Sequence, residues 1–217
     1  MDAFSKVLII IHASFGGIAL ISGAISLIAK KGKQLHKKSG KIFYYALLVS
    51  VTLSLVIALL PNHKSAFLFS IGLFSNYFII GGFRSLRYKQ RSISVQLDKM
   101  MAYFIIMVGI TMILYPILLQ NQSNIVLLVF GIIAIIFGVI DIFLLQNVNR
   151  LRKNWLKIHL SKMISGYVAA VTAFVVVNQW LPGVWAWFVP SIFGNIYLAY
   201  WLYKLKKKTS INKVHNK

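Results

Sequence analysis

Seven apolar runs follow one another along this chain, and its lysines and arginines are confined almost entirely to every second segment between them. The runs cover about residues 7–29, 42–60, 66–83, 100–119, 125–145, 158–180 and 184–203. About twenty apolar residues in an α-helix, rising ~1.5 Å each, cross the ~30 Å hydrocarbon core of a bilayer. Inside that core the backbone has no water to bond to, so an unbroken run must satisfy its own N–H and C=O groups as a helix. The expected fold is all-α: a polytopic integral membrane protein with seven transmembrane helices. They form one domain over 1–203, followed by a basic cytoplasmic tail over 204–217. Composition agrees, with 59% hydrophobic and 12% charged residues, against roughly half and a quarter in soluble domains.

Charge sets the orientation. Of 24 Lys and Arg, 22 fall in the segments after spans 1, 3, 5 and 7, with Lys162 included; only Lys6 and Lys64 fall on the other side. The positive-inside rule then places the N-terminus outside and the C-terminus inside. Tryptophans fit the same frame: Trp180, Trp185 and Trp187 at the outer boundary, Trp155 and Trp201 at the inner one. The first run lacks a basic leader and ends in lysines, so it reads as a retained helix rather than a cleaved signal. A formal charge of +21, with Asp2, Asp98 and Asp141 the only acids, would suggest nucleic acid in a soluble protein. Here the charge lies between spans, so the expected partner is the lipid bilayer, with anionic headgroups at the basic inner face, and no nucleic acid. There is no cysteine, which excludes disulfides, thiolate metal sites and cysteine nucleophiles.

Few polar positions fall within the spans. His12, Gly16, Ala19, Gly23 and Ser26 share one narrow face of span 1, a small-residue stripe that lets another helix approach closely. His12 reads either as a packing residue bonded to a neighbour or as a ligand-binding one. Asp141 is the only acid inside a span. Its insertion cost of about 2.5–3.5 kcal/mol at mid-bilayer, less near the edge, requires it to face protein. It stands at the inner level of His159, Lys162 and Lys157, with His159 the expected partner. Asp98 precedes span 4, where a carboxylate can cap free N–H groups. Asn76 and Asn195 lie near mid-membrane and need partners or water; Pro190 can kink span 7 beside Ser191 and Asn195.

Histidine chemistry is confined by depth. His36 sits in the inner lysine-rich loop and His159 at the inner entry of span 6, whereas His12 lies about 20 Å away along the normal. One haem cannot be ligated by His12 and His159 together. A bis-histidine haem b or metal site would require His36 with His159, or His12 with a partner the sequence does not identify. A seven-helix zinc amidohydrolase is disfavoured, because span 7 holds no histidine. His63 and His215 read as incidental.

The chain resembles bacterial multi-pass membrane proteins grouped as domain of unknown function 2306. The resemblance rests on His12-Ala13-Ser14-Phe15-Gly16-Gly17 with Gly23, Lys31-Gly32, and Leu35-His36-Lys37-Lys38-Ser39-Gly40-Lys41. It continues at His159-Leu160-Ser161-Lys162-Met163, Ala169–Phe174, Val176-Val177-Asn178, and Trp187, Pro190 and Gly194. It implies a multi-pass protein of a bacterial cytoplasmic (inner) membrane, brings no established reaction, and points to His12, His36, His159 and Asn178. The leading expectation is a non-enzymatic binding or assembly protein for lipid or another small hydrophobic ligand. The alternatives are a redox protein holding haem or metal through His36 and His159, and a transporter lined by Asn76, Asp141 and Asn195.

Overall fold

The computed structural model describes residues 3–90, 93–120 and 124–214; Asp2 and His215 lie outside them. The described residues form seven α-helices: α1 Ala3–Ile28, α2 Gln34–Ile57, α3 Ala66–Arg84, α4 Gln96–Gln120, α5 Ile125–Leu145, α6 Val148–Val177 and α7 Trp185–Val214. Short 3-10 helices at Pro61–His63 and Ser85–Lys89 flank α3, and no strand occurs among the described residues. Five of the helices, α1, α2, α4, α5 and α6, are long and apolar enough to cross a membrane. Large apolar side chains such as Ile10, Ile21, Met107, Leu118 and Phe193 are exposed along the helices. A surface of that kind matches lipid rather than water.

Local chemistry explains the helix starts. Ser65 accepts from Leu68 N–H, Asn124 from Val126 and Leu127 N–H, and Asn147 from Arg150 N–H, each satisfying donors that a helix leaves free. Gly32, at φ +79°, makes the turn between α1 and α2, a conformation that side chains resist.

Three boundaries differ from the sequence expectation. His36 is not in a loop: α2 begins at Gln34, so His36 stands in its first turn. The polar stretch 148–157 is also helical and opens α6, because Asn147 caps it and Leu151 and Ile158 pack on Tyr88 and Leu145. Finally, α7 continues past residue 203 to Val214, into the basic segment expected as a tail. Hydropathy marks where lipid begins, not where a helix ends, and Lys, Gln and Arg are good helix formers.

Two hairpins, α1–α2 and α4–α5, flank a central pair of α3 and α6, and α7 packs along α6. One core gathers α3, α4 and α5 around Phe74, Phe78, Ile105, Met112 and Phe130. A second joins α1, α2 and α3 through Ala19, Phe43, Leu47 and Ile79. The chain also closes on itself. The Lys31 ammonium donates to the carbonyls of Ser26 and Leu27 at the end of α1, and to Tyr197 Oη of α7 at 3.2 Å. Tyr197 in turn donates to Leu27 O at 2.7 Å, and Lys31 lies 4.9 Å from the Trp201 ring centre. Burial holds the Lys31 ammonium below the ordinary lysine pKa.

Candidate functional site

The α1–α2 hairpin is held by two reciprocal clasps. His12 Nδ1–H donates to Ser50 O at 2.8 Å, and Ser50 Oγ donates back to His12 O at 3.0 Å. At the other end His36 Nδ1–H donates to Ser26 O at 2.9 Å, and Ser26 Oγ reaches His36 O at 3.4 Å. His12 precedes Ser26 by 14 residues, and His36 precedes Ser50 by 14. Each histidine is followed four residues later by a glycine, Gly16 or Gly40, whose added Cβ would lie 3.3 Å from Ser50 Oγ or Ser26 Oγ respectively. The pair therefore has local two-fold pseudo-symmetry. His-x-x-x-Gly-x-Ile at 12–18 and at 36–42, each with its distal serine, carried that repeat in the sequence.

His159 bridges the central pair: its Nδ1–H donates to Gly82 O of α3 at 2.8 Å. A carbonyl can only accept, so in His12, His36 and His159 alike Nδ1 carries the proton. In the neutral ring the lone pair is then left on Nε2, the atom that binds metals. No cluster of three or more His, Asp or Glu suited to a metal exists among the described residues. Two histidines such as His36 and His159 would be enough for a haem but only half a zinc shell.

Asp141 does not pair with His159. Its Oδ2 takes the Lys162 ammonium and accepts from Tyr77 Oη at 2.6 Å. Lys162 also sits over the Tyr77 ring, 4.1 Å from its centre. Asp141 is 9% and Lys162 5% exposed, so each needs the other. The lysine wins over His159 because Gly81 of α3 leaves room for it: an added Cβ there would come within 2.8 Å of Lys162 Nζ. His159, one turn earlier on the same face, meets the adjacent Gly82 carbonyl instead. Nearer the end of the bundle, Asp98 stands in the first turn of α4. It takes Arg84 through two bonds of 2.8 and 2.7 Å instead of capping its helix. Burial, then the Asp98 charge, pushes the neighbouring Tyr88 phenol up.

Beside the Asp141–Lys162–Tyr77 triad a cleft of about 220 Å³ opens between α3, α5, α6 and α7. Phe74, Phe78, Phe130 and Phe137 form one wall. Ser165 and Thr172 of α6 and Ser191 and Asn195 of α7 supply its polar atoms. Gly194 lets the helices close around it; an added Cβ would lie 2.1 Å from Val168 Cγ2. Asn195 donates to Ser191 O at 2.9 Å and is otherwise open. Thr172 is 3% exposed, yet its hydroxyl has no partner. Other helical hydroxyls here, such as Ser14, Ser22, Ser75 and Thr111, bond the carbonyl four residues back. Thr172 does not, and a buried hydroxyl without a partner costs about 1–3 kcal/mol.

The remaining candidates stand apart. Asn178 is exposed at the end of α6, with its amide on Phe174 O at 2.8 Å. Asn76 shares a stripe of α3 with Gly72 and Phe83, which meet Leu55 and Tyr44 of α2. That stripe faces away from the cleft. Asn76, Asp141 and Asn195 thus lie in three different environments rather than along one passage. Sequence reading missed Thr172, Ser165 and Tyr77. Comparison with known proteins finds no family model, no curated protein and no solved structure that matches this chain.

Proposed function

We propose that this is a seven-span protein of a bacterial inner membrane, N-terminus outside and C-terminus inside, similar to the domain of unknown function 2306 proteins. Its role is to bind a small neutral hydrophobic molecule in the cleft between α3, α5, α6 and α7. The observation that carries this reading is the Thr172 hydroxyl, buried and without a partner on the lining of an otherwise phenylalanine-walled cleft. Ligand sites have this composition: apolar walls with a few placed polar groups. The basic segments then hold the protein against anionic headgroups of the inner leaflet. Extraction of neutral lipids from the purified protein tests the reading. A neutral species should co-purify with the native chain and be lost from Ser165→Phe, which fills the cleft; identical extracts from both proteins would refute it.

A second reading is favoured by one feature: His36 and His159 each anchor Nδ1 on a carbonyl, the arrangement that orients imidazole ligands. In that reading the two Nε2 atoms hold haem b or a metal at the inner side. A Soret band or bound metal that disappears in both His36→Ala and His159→Ala is the expected result; a colourless, metal-free protein rules it out.

A further inference from the structure

The cleft constrains what can occupy it more tightly than hydrophobicity alone, and the argument rests on the ligand-binding reading above. Ser165 and Thr172 both line it and are seven residues apart on α6. Seven residues turn the helix through about 700°, which returns to within ~20° of the same face, and raise it by about 10.5 Å. Two hydroxyls therefore stand on one wall, one near each end of the space. Thr172 is nearly fully buried with no partner for its hydroxyl, and Ser165 is half-buried. Asn195 enters from α7 at intermediate height, since the adjacent Gly194 meets Val168 of α6, midway between the two hydroxyls.

No charged residue lines the cleft. The nearest ion pair, Asp141 with Lys162, is internally satisfied. A phospholipid headgroup at this depth would bring an unpaired charge into the bilayer interior, which is costly. The occupant is therefore neutral, with acceptors at both ends and a middle that suits phenylalanine rings. Phe78 and Phe137 meet edge-to-face at 4.8 Å, and Phe74 and Phe130 at 5.8 Å.

A para-quinone ring has these properties. Its two carbonyl oxygens are about 5.3 Å apart, counting the ring and two C=O bonds of ~1.23 Å. A hydroxyl approaching along an oxygen lone pair, about 120° from the C=O axis, reaches both oxygens at a span of about 8 Å, and a linear approach at about 11 Å, a range that includes the ~10.5 Å rise from Ser165 to Thr172. Size agrees as well: an apolar cavity of ~150 Å³ accepts benzene, so a cleft of about 220 Å³ takes a substituted ring. Asn195 is exposed, so the α7 side of the cleft meets lipid and gives an apolar tail its exit. We infer that the cleft between α3, α5, α6 and α7 binds the ring of a membrane quinone, with Ser165 and Thr172 donating to its two carbonyl oxygens.

Equilibrium binding of decylubiquinone to the full chain in lipid nanodiscs tests this, with decylbenzene as a probe of similar tail and no carbonyls. Saturable quinone binding is expected, at least tenfold tighter than decylbenzene. Each of Ser165→Ala and Thr172→Val should weaken it by up to about tenfold, the effect of one hydrogen bond. Thermal unfolding of both variants should match the native protein. Equal affinity for the two probes, or quinone affinity unchanged in both variants, overturns the quinone assignment. If Ser165→Phe then abolishes both bindings, the general ligand-binding reading survives. If neither probe saturates, or Ser165→Phe changes nothing, that reading falls with it.

Discussion

The α1–α2 hairpin and the space bounded by α3, α5, α6 and α7 use similar residue types to opposite ends. In the hairpin, Ser26 and Ser50 pair with His36 and His12 across the two helices, Ser22 and Ser39 bond carbonyls of their own helices, and small residues draw the backbones together. In the cleft, small residues again bring α6 and α7 close at Gly194, but serine, threonine and asparagine side chains are left facing space. The first arrangement is complete in itself. The second leaves the Thr172 hydroxyl without a partner, and in the proposed reading a bound molecule supplies it, which would separate a polar residue that holds the fold from one that awaits a ligand.

The largest way to break this comparison lies between the two regions. Asp141→Ala leaves Lys162 buried without its carboxylate and should cost about 3–5 kcal/mol. The double substitution Asp141→Ala with Lys162→Met should recover most of that loss in the same unfolding assay. A small single-variant effect would mean that water reaches the triad. Next in size are the clasps. His12→Ala or Ser50→Ala should cost about 0.6–2 kcal/mol each. The pair together should cost less than the sum, since both remove the same contact. Additive losses would show that the clasp is not a unit. His36→Ala should cost less than His12→Ala, because its clasp lies at the lysine-rich end, where water replaces the bond. The smallest effect sharpens the contrast: Thr172→Val removes a hydroxyl that bonds nothing, so stability should stay within about 0.5 kcal/mol or rise. A loss of a full kcal/mol or more would place Thr172 among the structural residues.

The spans were legible because period and apolarity survive in any context. All five helices apolar enough to cross a membrane coincide with expected runs. The ends were less legible. His36 looked like a loop residue because lysines surround it, although lysine is compatible with helix. The need of Asp141 for a protein partner could be read from its cost in lipid, but the partner could not. His159 and Lys162 share a face and a depth, and only the space at Gly81 decides between them. Tyr77 gave no signal among so many aromatic residues. Thr172 was invisible for another reason: within Ala169–Phe174 a threonine can bond its own helix, and only the folded structure shows that it does not.

Lys31 and Tyr197 carry a consequence for biosynthesis. The Leu27 carbonyl at the end of the first helix is answered by Tyr197 of the last, 170 residues later. A ribosome releases the first hairpin long before Tyr197 exists, so until then its lysine-rich end depends on the His36–Ser26 clasp, Lys31 and water. Completion of the seventh helix is therefore the step that seals the first, and a chain truncated before it should persist as an unfinished assembly, exposed to quality-control proteolysis.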